Sequence, residues 1–92
     1  MLSANPLEKF GGLRGMIYDF DFAGEILPSH THDDNTHHIS IVARGRIKAY
    51  SDGWEVEATA GQILDFKVGQ PHEIAAMEDN TRIINIIKPK EA

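Results

Sequence analysis

The chain contains no cysteine, which excludes a disulfide framework and every thiolate metal site. Positive charge is scarce: nine Lys and Arg stand against 14 Asp and Glu, for a net charge of −5. Such a surface repels phosphate backbones, and no basic stripe offsets it, so nucleic acid is not an expected partner. Long apolar runs are also missing, and none of those present can cross a bilayer. Met1–Pro6 has neither the basic region nor the apolar run of a signal peptide, which reads as a cytoplasmic protein. What is there is 92 residues, 41% hydrophobic and 25% charged, the make-up of one folded domain rather than of a disordered chain. A domain this short buries only about 60–65% of its unfolded surface. A non-thiolate metal, oligomerisation, or both are therefore expected to support it.

Helical periodicity is the other absence. Residues 1–15 read as an irregular arm, with Pro6, Gly11, Gly12 and Gly15 interleaved with Leu2, Leu7, Phe10 and Leu13. Residues 16–92 read as a single domain of short strands. Met16, Tyr18, Phe20 and Phe22 alternate with Ile17, Asp19 and Asp21, the pattern of a strand with one wet face. Pro28 is expected to end the next run, with His30-Thr31-His32 extended beyond it and Asp33–Thr36 forming a loop. Further strands are predicted at Ile39–Ala43, Arg46–Tyr50, Trp54–Ala58, Gln62–Phe66, His72–Ala76 and Thr81–Lys88. Ser51-Asp52-Gly53 marks a hairpin turn, Val68–Pro71 a second turn, and Pro89 a stop. About eight short strands with turns every 8–12 residues mean an all-β sandwich or small barrel.

Five histidines are present, four of them between His30 and His38. His30 and His32 stand two apart, and in a strand such residues project from one face. Their Cα atoms lie roughly 6.5–7 Å apart, from which two imidazoles can converge on one ion at about 2.1 Å each. His37 or His38 on the next strand and His72 on a later one can complete the set.

At these residues the chain resembles a small single-domain cupin. The family's first motif, G(X)5HXH(X)3–4E(X)6G, is matched by Gly24, His30, His32 and Gly45; its second, G(X)5PXG(X)2H(X)3N, by Gly61, Gly69 and His72. Lys67 replaces the second motif's Pro and Ala76 its Asn, and no Glu stands at the carboxylate position of the first. His37 and His38 are the candidates there. Counting back six residues from Gly45 selects His38, with the additional residue placed in the preceding loop, where an insertion costs least. His38, Ser40 and Val42 then face inward.

The resemblance implies a cupin double-stranded β-helix, a small jelly-roll barrel of two antiparallel sheets. It implies a divalent transition metal (Mn, Fe, Ni, Zn or Cu) held by His30, His32, His38 and His72. Four neutral imidazoles leave the ion's full charge in place and, on an octahedral ion, two positions open for substrate, water or dioxygen. The expected function is that of a metal-dependent oxidoreductase of dioxygenase type acting on a small chelating organic molecule. The alternatives are a non-catalytic module binding a metal or small ligand, and an isomerase or lyase with Tyr18 or Tyr50 as base.

Asp33, Asp34 and Glu73 read as parts of solvated faces. Asn85 interrupts the pairs Ile83-Ile84 and Ile86-Ile87, and a polar group there needs a partner if buried. Trp54, Phe66 and Met77 read as core or as surface under a partner chain. The isoleucines around Asn85 are apolar on both strand faces while one barrel covers one face, so a homodimer is expected, with the arm lying across the neighbouring subunit.

Overall fold

The computed structural model describes residues 1–6, 14–30, 37–66 and 71–88. Among them are nine strands and no helix: β1 (Ser3–Pro6), β2 (Arg14–Phe20), β3 (Ile26–His30), β4 (His37–Arg44), β5 (Arg46–Ser51), β6 (Trp54–Thr59), β7 (Ile63–Phe66), β8 (His72–Ala76) and β9 (Thr81–Lys88). They form a five-stranded sheet in the order β1-β2-β9-β4-β7 and a four-stranded sheet in the order β3-β8-β5-β6. Every pairing is antiparallel. This is the two-sheet all-β architecture that the alternating pattern predicts. With no helix among these residues, none is long and apolar enough to cross a membrane.

Alternation fills the space between the sheets. Phe20, Val42, Phe66 and Ile83 come from the five-stranded sheet, and Ile47, Ala49, Ala58, Ile74 and Ala76 from the four-stranded one; all are buried. Burying a side chain such as Ile83 stabilises the fold by roughly 1.5–3 kcal/mol relative to leaving it exposed. Leu2, Tyr18, Leu27, Trp54 and Leu64 pack against this cluster from its margins.

Three expectations are corrected. The N-terminal segment is not irregular throughout, because Ser3–Pro6 pairs with β2 of the same chain at the sheet edge. Pro6, which has no N–H to donate, closes that edge strand. Strand β2 ends at Phe20 instead of running on, and Phe22 is exposed. Pro28 does not end its strand: β3 continues through it to His30, with a register shift between Leu27 and His30. Of the residues read as core or as surface under a partner chain, Phe66 is core, Trp54 packs at its margin and Met77 lies at the surface. Leu7, Phe10, Leu13, His32, Asp33, Asp34, the Val68–Gln70 part of the second turn and Pro89 lie outside the described residues.

The outer faces of the two sheets differ. On the four-stranded sheet, Arg46 pairs with Glu57 and Lys48 with Glu55, and Tyr50 hydrogen-bonds Glu73. On the five-stranded sheet, strand registers align Ile17, Ile84, Ile41 and Ile63 in one row across four strands, with Ile86 and Ile39 in the next. Beyond this apolar stripe, the Arg82 guanidinium grips Asp19 with two bonds, at 2.7 and 3.0 Å.

The chain passes from the first sheet to the second at Gly45, whose φ is +82°. A side chain there would collide with the Thr81 hydroxyl and sit 3.0 Å from the Thr81 Cα. Glycine is required twice over, by the dihedral and by the close approach.

Candidate metal centre

His38 enters from β4. His38, Ser40 and Val42 are buried with exposures of 4%, 1% and 0%, while the alternating Ile39 and Ile41 lie on the outer face. His38 pairs across the ladder with Phe66 on β7, and His37 with Lys88 on β9.

His72 enters from β8 in the other sheet and is also 4% exposed. Its ring lies parallel to that of Phe66, with centroids 4.0 Å apart and planes 6° from coplanar. Phe66 therefore joins the two histidines: it is the ladder partner of His38 and the stacking partner of His72. His30 stands directly opposite His72 in the β3–β8 ladder. Leu27 pairs with Ile74, so an unbroken ladder would bring Ser29 to His72; one extra residue, in the segment containing Pro28, brings His30 there instead.

Asn85, directly opposite Ser40 in the β4–β9 ladder, supplies the polar connection. The Ser40 hydroxyl donates to Asn85 Oδ1 at 2.9 Å, and Asn85 Nδ2 lies 3.3 Å from His38 Nδ1. The polar interruption in the isoleucine run is thus placed against the histidine of the neighbouring strand.

Both tyrosines considered as bases have raised pKa values. Tyr50 lies on the outer face, and its bond to the Glu73 carboxylate, helped by partial burial, raises its pKa. Tyr18 is half-buried against the core, and burial raises its pKa as well. A phenol with a raised pKa is a poorer source of phenolate near neutrality.

Among the described residues, which exclude His32, no group of three or more His, Asp or Glu is placed to hold a metal ion. His38 and His72 are buried imidazoles on facing sheets, a donor type that accepts Mn, Fe, Ni, Zn or Cu, and an amide beside a ring nitrogen is the kind of outer support that would suit a ligating histidine. Sequence reasoning had placed Phe66 in the core or under a partner chain. Its position beside the second motif's turn was the available signal.

Two antiparallel sheets around a core that includes His38 and His72 are the architecture of a cupin. Residues 16–89 match the family described as AraC-like ligand binding domain, and the chain belongs to that family. Its fold is similar to that of KdgF from Halomonas sp. (TM-score 0.82, 18% identity, covering 98% of this chain and 80% of that one). It is also similar to an RmlC-like cupin protein from Desulfovibrio desulfuricans (TM-score 0.79, 22% identity, 97% and 84%). A third similar structure is the cupin domain of an XRE family transcriptional regulator from Enterobacter cloacae (TM-score 0.81, 15% identity, 98% of each chain). At these identities the likeness is one of fold. No curated protein matches the sequence.

Proposed function

We propose that this chain is a small-molecule-binding cupin domain whose ligand is held at a divalent transition metal bound by His30, His32, His38 and His72. The observation that carries this reading is the burial of His38 and His72 on facing sheets, joined through Phe66, with His30 in register opposite His72. Membership of a ligand-binding family and likeness to a regulator's cupin domain support the binding role. A bound ion supplies a Lewis acid whose charge no ligand carboxylate cancels, which suits a small anionic chelator such as an enolate or catecholate. The protein's own contribution is to exclude water with the surrounding core and to hold the imidazoles in fixed directions.

The same all-imidazole donor set favours a second reading, dioxygenase-type oxidation of a chelating organic substrate. Oxygen-uptake measurements on Fe(II)- or Mn(II)-loaded protein with catechols, β-diketones and flavonols separate the two. Uptake with any of them establishes the oxidoreductase; ligand binding without uptake establishes the binding module.

The metal itself is tested by elemental analysis of protein purified without chelators and by titration with Mn(II) and Ni(II). Stoichiometric binding that His38→Ala weakens substantially and His37→Ala leaves nearly unchanged is the expected result. Absence of binding by the intact chain overturns the reading.

The homodimer belongs to the same proposal, with its surface revised. Ile83 is in the core, so the contact is made by the outer row Ile17, Ile84, Ile41 and Ile63 with Ile86 and Ile39. The opposite outer face carries ion pairs and serves as the solvated side.

A further inference from the structure

Asn85 is a polar residue on the central strand of the five-stranded sheet, flanked by isoleucines on both sides in sequence. Its two polar atoms are both used: Oδ1 accepts from Ser40, and Nδ2 faces Nδ1 of His38. In a neutral imidazole one nitrogen carries the proton and the other accepts. An amide N–H donating to Nδ1 requires the proton on Nε2, whereas an amide carbonyl facing the ring requires it on Nδ1. An Nε2 that carries a proton cannot bind an ion.

We propose that Asn85 is a positioning residue whose amide, anchored on Ser40, dictates which ring nitrogen of His38 carries the proton and therefore when Nε2 can take a metal ion. The inference rests on the reading of His38 as a ligand. Turning the amide over by half a turn exchanges its two ends with almost no change of shape. The carbonyl then accepts from Nδ1–H, the amide N–H donates to the Ser40 hydroxyl, and Nε2 is deprotonated. Ser40 can donate or accept, so both arrangements keep both hydrogen bonds, and neither leaves a buried polar group unpaired. The three side chains form a relay with two self-consistent settings. The two settings differ in which ring nitrogen carries the proton: Nε2 when the amide N–H faces the ring, Nδ1 when the carbonyl does. No proton leaves the neutral ring in the exchange, since the proton on Nε2 is replaced by one on Nδ1.

Other side chains at position 85 break this symmetry in different directions. Aspartate only accepts when ionised, so it fits Nδ1–H and a donating Ser40 hydroxyl, and holds His38 in the ion-binding form. Leucine offers neither interaction.

The test is nitrogen-detected NMR of the histidine rings at a pH where they are neutral, with His38 assigned by comparison with His38→Gln. In metal-free wild-type protein His38 is expected to carry its proton on Nε2, and Zn(II) should move it to Nδ1. In Asn85→Asp the proton should already be on Nδ1 before zinc is added. In Asn85→Leu zinc affinity by calorimetry should fall about 10- to 100-fold, the usual effect of losing an outer partner of a ligating histidine. Ser40→Ala should disturb the tautomer without removing the Asn85 contact. The same His38 tautomer in wild type, Asn85→Asp and Asn85→Leu, together with equal zinc affinities, overturns the proposal. A tautomer that follows residue 85 in a protein that binds no metal upholds the relay and overturns the metal reading instead.

Discussion

The rings of Phe66 and His72 lie face to face, with centroids 4.0 Å apart and planes 6° from coplanar. This contact spans the two sheets, since β7 belongs to the five-stranded sheet and β8 to the four-stranded one. Stacking limits tilting of the imidazole, so its plane is set by a phenyl ring that bears no donor.

Replacing Phe66 with leucine keeps apolar bulk and removes the flat partner. The expected outcome is a stability loss of about 1 kcal/mol in urea denaturation, accompanied by about a tenfold loss of zinc affinity, as for other lost supports of a ligand. Ile83→Val should cost a similar amount of stability, about 0.5–1.5 kcal/mol, and leave zinc affinity unchanged. Equal effects of both substitutions on affinity would reduce Phe66 to a packing residue.

Asp19 gives the fold a pH-dependent component. Its hydrogen bonds from Arg82, reinforced by the charges of Arg82 and Arg44, hold its pKa below the ordinary value. A folded pKa below the unfolded one adds stability that is complete above about pH 4–5, given an ordinary Asp value of about 3.9, and that is lost as pH falls toward the folded pKa. Asp19→Asn should therefore lower stability at pH 7 by about 0.5–1 kcal/mol, the scale of a partly exposed bidentate pair. The gap between the two proteins should narrow steadily below pH 4 in acid-denaturation curves, and one that stays constant would assign the loss to packing.

Gly45 and Gly24 both have positive φ, at +82° and +92°, but only Gly45 abuts another strand. Gly24→Ala has open space around the added carbon and should cost about 1–2 kcal/mol from the dihedral alone. Gly45→Ala adds a collision with Thr81 on β9 and should cost a further 1–3 kcal/mol or so. Thermal melts of the two variants side by side check the ranking.

The isoleucine row makes a prediction about assembly. Ile41→Lys puts a charge at an inner position of the row, and the dimer should dissociate in sedimentation velocity at micromolar concentration. Lys48→Ala, on the opposite outer face, should leave the sedimentation coefficient unchanged. A wild-type protein that sediments as a monomer would refute the proposed interface.

The legible parts of this structure are those governed by parity. His38, Ser40 and Val42 share a buried face because a strand alternates with period two, and counting residues back from Gly45 was enough to choose that face. The turn at Asp52-Gly53, with Ser51 and Trp54 paired across it, followed from its residue types. What sequence could not show was where parity breaks. Leu27 and His30 are three apart and should lie on opposite faces, yet both stand opposite inward residues, Ile74 and His72, because the ladder shifts between them. Proline at 28 was read as a stop, whereas a residue without an N–H is accommodated where the ladder is already interrupted. The β1–β2 pairing was hidden for a different reason. Ser3–Pro6 is exposed along its whole length, so no alternation betrays it; only the tertiary arrangement offers it an edge.

The contrast between the two outer faces has a consequence for handling the protein. Ionic strength acts on them in opposite directions. Salt screens the Arg46–Glu57 and Lys48–Glu55 pairs of the four-stranded sheet and weakens what little they contribute. A strongly hydrated anion such as sulfate raises the cost of keeping the isoleucine row wet. The same buffer change therefore loosens one side of the barrel's surface and drives the other toward contact, so that salting out should begin from a single, well-defined face.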